Sequence, residues 1–352
     1  MDQLNIFYHS PKELTTDAFW VWLLYFLDSS EKYEEAKQYL FDDLILREED
    51  KGRRVGHISA KTQEKCSHGR VDFYFTFTFL DDGSKHLVLF EDKTWSSTSK
   101  SQLNGYKKAF PAAYRFFYYK LAYIGIHERE LVKECGYNII TARMMETCLS
   151  RFCGEHLLIL DYRNYIKDTF ADYIDSFPTR LFDEKEYDLL EDAQVQLFLA
   201  DCLLDAIPNW EERGMYNYFG TSAGRPWTEI SLVEESPIML GYDESIFWRI
   251  DIRMGQFYIR LNQYARYESD LVRDKKQKRL ARMREISEEL LSGETFSLKK
   301  GDPSNKVGYE QEIVIFFLPE NDWEIIFKDI PRFTDAFLEK YDKELPPGFP
   351  QA

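Results

Sequence analysis

Between Val71 and Phe79 apolar and polar residues alternate strictly, with Val71, Phe73, Phe75, Phe77 and Phe79 on one side and Asp72, Tyr74, Thr76 and Thr78 on the other. That is the period of a strand with one buried face. Asp81, Asp82 and Gly83 supply a turn, and a second apolar run from Leu87 to Phe90 continues into Glu91, Asp92 and Lys93. The two runs read as a hairpin in which paired positions sum to roughly 163 to 165, so that Asp72 lies across from Glu91 to Lys93. Glu91 and Lys93, two apart on a strand, share a face, and Asp92 points the other way.

The rest of the chain is read in the same way. Ser10 and Pro11 precede a helix with Phe19, Trp20, Leu23, Leu24 and Leu27 on a broad apolar face and Glu13 in its first turn. Glu31 to Glu49 reads as helical, Gly52 to Gly56 as a loop, and Ile58 to Lys65 as a strand leading into the hairpin. Serines and threonines from Thr94 to Ser101 can cap a helix carrying Gln102 and Tyr106, which Pro111 ends or kinks. Phe116 to Ile126 reads as a buried strand returning to the same sheet. Thr141 to Phe152 looks helical, and the apolar segment that begins at Leu157 to Tyr162 runs into helix. This alternation predicts an α/β core. Val195 to Ile207 reads as an amphipathic helix. Gly214, Gly220, Gly224 and Pro226 cluster near a boundary between Arg213 and Trp227. Beyond it come a hairpin (Ile246 to Arg253 and Phe257 to Leu261, turning at Met254 to Gln256), a charged helix (Asp270 to Leu291), a strand pair (Ile313 to Leu318 and Trp323 to Phe327) and a closing helix (Ile330 to Leu345). The basic residues of the charged helix read as a solvated face or as phosphate contacts.

Composition narrows the class. With 352 residues and 44% hydrophobic content the chain can bury a large core, as one large or two moderate domains. The five cysteines (Cys66, Cys135, Cys148, Cys153 and Cys202) show no C-x-x-C pair, so neither disulfides nor a structural zinc is expected. Cys66 and His68 stand near the hairpin without further partners and read as structural. No apolar run reaches the roughly 18 to 20 residues of a membrane span, and no signal sequence is visible, which points to the cytoplasm. A net charge of −16 argues against indiscriminate binding to nucleic acid. From Lys93 to His127, however, there is no Asp or Glu, while Lys93, Lys100, Lys107, Lys108, Arg115 and Lys120 are present. Lys100, Lys107, Lys108 and Arg115 are the candidate phosphate contacts.

Two carboxylates and an ammonium at one end of a sheet suit hydrolysis of a phosphodiester. Carboxylates hold Mg²⁺, which prefers oxygen ligands and keeps several waters. A lysine beside the attacking water orients it or balances developing charge. An exposed salt bridge on a hairpin is the plain alternative.

The arrangement Asp72, then Glu91-Asp92-Lys93, then Gln102 and Tyr106 resembles the PD-(D/E)XK nuclease superfamily, in its RecB-like branch with a Q-x-x-x-Y motif. Val71 stands where the superfamily's name has proline. Glu13, ahead of Ala18 to Leu24, looks like the first helix of a bacterial subfamily in which a glutamate precedes an "AWLL"-like run. The resemblance covers roughly residues 13 to 210. It implies a restriction-endonuclease-like core, a mixed central sheet flanked by helices, over residues 1–220, with a smaller C-terminal α/β accessory domain over 221–352. It implies metal ligation by Asp72, Glu91 and Glu13, and catalysis by these with Lys93, Gln102 and Tyr106. Mg²⁺ is the expected cofactor, with Mn²⁺ able to substitute. The implied function is a nuclease acting on DNA in prokaryotic anti-phage defence or restriction, with a defence-system partner protein or homodimer assembly as further options. The alternatives are an RNase, or a nucleic-acid-binding or regulatory subunit that keeps the fold without turnover.

Overall fold

The computed structural model describes residues 5–9, 13–67, 69–222, 225–253, 255–293 and 295–346. Ser10, Pro11, His68, Gly224 and Met254, named above, lie outside them. The strands in chain order are β1 (Val55–Cys66), β2 (Gly69–Phe79), β3 (Lys85–Lys93), β4 (Arg115–Lys120), β5 (Asn138–Thr141), β6 (Tyr216–Ser222), β7 (Arg225–Met239), β8 (Tyr242–Arg253), β9 (Gln256–Tyr264), β10 (Lys300–Gly301) and β11 (Glu310–Phe317). The α-helices are α1 (Ile6–His9), α2 (Glu13–Asp28), α3 (Glu34–Leu40), α4 (Lys100–Ala109), α5 (Ile126–Glu134), α6 (Ala142–Ser150), α7 (Leu157–Ile166), α8 (Asp172–Asp175), α9 (Ala193–Ala206), α10 (Asp270–Ser292) and α11 (Trp323–Glu344). The class is mixed α/β. None of the described helices is long and apolar enough to cross a membrane.

Contacts divide the chain into two compact units, residues 1–124 with 128–176, and residues 125–127 with 177–352. The break precedes the glycine-rich stretch expected to mark it. That stretch belongs inside the second unit because β6 and β7 pair there from Tyr216–Ser231 to Ser222–Arg225, and α9 packs on both strands. The C-terminal unit is therefore comparable in size to the first.

In the first unit the sheet order is β1-β2-β3-β4-β5, with β1, β2 and β3 antiparallel and β3, β4 and β5 parallel. The mixture follows from the connections. A tight turn with Gly83 at φ +68° can only make an antiparallel hairpin, whereas the helical crossover through α4 returns the chain in the same direction. One face of the sheet buries Phe73, Phe75, Phe77, Phe79, Phe90, Phe117 and Tyr119 against α2, α3, α6 and α7. The other packs Leu89, Phe116 and Tyr118 against Leu103 and Tyr106 of α4 and Val132 of α5. Val71, expected with the phenylalanines, joins this second cluster, where α4 covers the start of β2.

Trp20 of α2 is fully buried, with its ring 5.8 Å from that of Phe73 and 5.2 Å from that of Phe90. Trp20→Ala is expected to cost about 3–5 kcal/mol in chemical denaturation, through lost burial and the cavity left behind. Trp20→Phe should cost much less, because the indole N–H has no partner to lose. Equal costs for the two would show that the site collapses around small side chains.

In the second unit the order is β10-β11-β9-β8-β7-β6, antiparallel throughout. Trp248, Ile250, Ile259, Leu261 and Phe316 are buried on its apolar side, and Trp248 Nε1 donates to Thr334 Oγ1 of α11 at 2.8 Å. Trp323 to Phe327, expected as a strand, is the first part of α11. Buried residues at 323, 326, 330, 333, 334, 337 and 338 follow a helical stripe that a five-residue window does not reveal. The strand at Ile313 pairs with β9 and β10 instead. The basic residues of α10 are not simply a solvated face. Lys276 Nζ donates to the carbonyls of Gly308 and Tyr309, both at 2.6 Å, and Arg279 is paired with the buried Glu244 at 2.5 Å.

Candidate functional site

The hairpin register is the lowest of those expected: Phe73 pairs with Phe90 and Thr78 with Lys85. Asp72 lies one step beyond the last pair, and its side chain takes over there, with Oδ2 accepting from the backbone N–H of Asp92 at 2.8 Å. On the same face, Lys93 Nζ lies 2.5 Å from Glu91 Oε1 and 3.8 Å from Asp72 Oδ2. The strand period thus places acid, acid and ammonium together.

Helix α4 completes the cluster. Ser99 caps it by accepting from the Gln102 N–H, which fixes the first turn over the end of β3. Gln102 Nε2 then donates to Glu91 Oε1 at 2.6 Å and to the Tyr106 hydroxyl at 3.2 Å, and that hydroxyl donates to the Arg70 carbonyl at 2.6 Å. The four-residue spacing puts both side chains on one helix face. Gly69 begins β2 beside Tyr106 at φ +135°, a conformation that favours glycine; a Cβ here would meet the Tyr106 hydroxyl at an ordinary 3.6 Å. Tyr106→Phe leaves the Arg70 carbonyl without this donor and should cost about 1 kcal/mol in denaturation; an unchanged midpoint would mean that water replaces the hydroxyl.

The electrostatics are those of a crowded acid site. Burial, and next the charge of Asp72, push Glu91 up to about 8. Burial also raises Asp72, against the pull of Lys93 and the Asp92 N–H. Burial opposes the charge on Lys93, yet Glu91, followed by Asp72, holds its ammonium above the usual range. Lys93 and Gln102 both donate to Glu91 Oε1, while Oε2 is buried without an N–H donor.

Asp92, on the opposite face, is fully buried. Burial and then the charge of Asp17 raise it well above a normal carboxylate, and Asp17 in turn is pushed up to about 7, first by burial and then by Asp72. Asp17 was not singled out from sequence. The signal was available: it stands four residues after Glu13, on the same face of α2.

Glu13 accepts from Ser96 Oγ at 3.1 Å. Lys120, almost fully buried at the end of β4 beside Lys93 in the parallel register, donates to the Ser96 carbonyl at 2.5 Å and lies 3.5 Å from Glu128. A chain of contacts therefore runs from β4 through the 94–99 loop to Glu13. Lys120 belongs to this supporting layer, and its place was marked by an apolar run ending in a charge, as β3 does.

Asp72 and Glu91 are the residues that could hold a hard cation. Among the described residues no three His, Cys, Asp or Glu side chains stand grouped as a ready-made cage. A cation that keeps most of its waters needs fewer protein oxygens, and the like-charge strain between Asp72 and Glu91 is what such a cation relieves. Glu13 reaches the pair through its field, raising Asp72.

The basic residues are used unevenly. Lys100, well exposed, pairs with Glu134 at 3.0 Å. Lys107 donates to the Cys135 carbonyl at 2.9 Å. Arg115 donates to the carbonyls of Ile45 and Leu46 and to Asn138, so its guanidinium is taken up inside the unit. Lys108 is exposed.

Comparison with family models, curated proteins and solved structures returned no match. The geometry stands by itself.

Proposed function

We propose that the N-terminal unit is a metal-dependent nuclease of the PD-(D/E)XK type that hydrolyses phosphodiester bonds in DNA, in a prokaryotic defence or restriction setting. The observation that supports it is the convergence of Asp72, Glu91, Lys93 and Gln102 at one sheet end, with a buried oxygen of Glu91 left without an N–H donor. The mixed sheet with helices on both faces fits the restriction-endonuclease-like core that the motifs imply.

Asp72 and Glu91 would hold Mg²⁺, with Glu13 as a third acid; the ion supplies charge stabilisation and a more acidic water. Lys93, kept protonated by the two carboxylates, faces the negative charge that develops on the phosphate and orients the attacking water. Gln102 fixes Glu91 through one of its oxygens. Lys108 and Lys100 are the remaining surface cations for strand contact.

The test is purified protein with plasmid DNA and Mg²⁺ or Mn²⁺, with and without excess chelator, and with RNA in parallel. Metal-dependent nicking or cutting of the plasmid is expected. Cleavage of RNA alone would reassign the substrate, and cleavage that survives the chelator would overturn the metal role. Binding of nucleic acid without turnover by the folded protein would favour the rival reading, a regulatory subunit that keeps the fold.

A further inference from the structure

The polar face of the second sheet carries a feature unrelated to the acid site. Tyr216 and Tyr218 of β6, Phe247 of β8 and Tyr264 of β9 wall a cavity of about 300 Å³, and Glu229, Glu234 and Glu310 line it with Arg249. The tyrosines are held by the acids: Tyr216 donates to Glu234 at 2.6 Å, and Tyr218 donates to Glu229. Three carboxylates face one guanidinium, so the pocket keeps an excess of negative charge inside aromatic walls.

Arg249 shows what such walls accept. Its guanidinium carbon lies 4.5 Å from the centre of the Trp227 ring and 5.9 Å from that of Phe247, and it is paired with Glu229 at 2.8 Å and Glu310 at 2.5 Å. The face already stabilises one guanidinium by ring contact and ion pairing. Asn262, fully buried and paired with Phe247 in the strand register, donates to Glu310 at 2.8 Å and so holds that carboxylate in place. The small pocket also shares Arg249 and Glu310 with a groove of about 870 Å³ along the same face, lined further by Arg225, Trp227, Arg260 and Lys306. A free amine would fill the small pocket alone, whereas an extended peptide occupies both.

We infer that this face binds a protein segment, with a basic side chain of the partner inserted between Tyr218 and Phe247 and paired to Glu229, Glu234 and Glu310. The excess carboxylate excludes a phosphate as the inserted group, and the aromatic walls favour guanidinium or ammonium over a bare metal ion.

The experiment titrates the full chain with a glycine–serine heptapeptide carrying a central arginine, following Trp227, whose ring lies 5.8 Å from that of Tyr218, by fluorescence and checking by calorimetry. A peptide with citrulline, the neutral isostere, should bind at least about tenfold more weakly, since the charge-assisted contact is removed. Tyr218→Ala, at a position 40% exposed and so cheap to truncate, and Glu234→Gln should each weaken the arginine peptide several-fold with unchanged circular dichroism. Equal binding of arginine and citrulline peptides, no saturable binding by the folded protein, or tighter binding of spermidine than of the peptide would each overturn the inference. None of these readouts involves cleavage, so the outcome stands apart from that of the proposed nuclease.

Discussion

Lys93→Ala is expected to lower plasmid cleavage by about 10²–10⁴-fold, the usual worth of a positioned proton-transfer or charge-balancing group. Its effect on folding depends on what happens to Glu91, whose side chain is fully buried and whose shortest ionic contact is Lys93 at 2.5 Å. Read from sequence, Lys93 is an exposed lysine of little consequence for stability; in the fold its side chain is only 13% exposed. Removing one member of a buried pair normally leaves an uncompensated charge at a cost of about 3–5 kcal/mol. Here burial and Asp72 already favour the neutral form of Glu91, so the acid takes up a proton and the loss should be smaller. Lys93→Met, which keeps the apolar stem, should melt close to wild type and be as inactive as the alanine variant. A folded Lys93→Met protein that still cuts would remove the lysine from the chemistry.

Glu91→Gln and Asp72→Asn are the second pair, read by calorimetric titration with Mn²⁺. Each replaces an acid that can ionise onto a metal with a neutral group of the same shape, and each should weaken binding at least about tenfold, because ligand charge sets affinity for a hard cation. The two differ in the fold. At position 91 the amide oxygen can still accept from Gln102 and Lys93, and a neutral group suits the burial, so stability at pH 7 should hold within about 1 kcal/mol. At position 72 the amide oxygen can still accept from the Asp92 N–H, and Asp72→Ala is the variant that breaks that bond as well. If both isosteric variants bind Mn²⁺ as wild type does, the pair holds no metal.

The alternation from Phe73 to Phe79, with an Asp-Asp-Gly turn behind it, narrowed the hairpin to a few registers, and the one that pairs Phe73 with Phe90 is the one the fold adopts. The positions of Asp72, Glu91 and Lys93 came with that register. Gln102 and Tyr106 were marked by their resemblance to a Q-x-x-x-Y motif; the four-residue spacing and the serine cap then place both on one helix face. What stayed hidden depends on partners distant in sequence. Nothing near Arg115 announces that carbonyls at 45 and 46 will take its guanidinium, and nothing beside Asp17 announces Asp92. Trp323 to Phe327 is a short apolar cluster that either period fits, and only the continuation to Phe337 and Tyr341 decides for helix. The glycines near 214 to 224 mark turns, and turns occur within a domain as readily as between domains.

The bond from Asp72 to the Asp92 N–H makes position 72 a length gauge. A side chain with one methylene reaches from β2 to the neighbouring backbone and still sits 3.8 Å from Lys93. Glutamate has the same charge but overshoots by one carbon, so it must either push the strands apart or turn its oxygens away from the amide. Asp72→Glu should then fail even though its charge is conserved, and by altering the spacing of β2 and β3 at their ends. In this protein the distance between two strands, as much as the presence of two acids, defines the site.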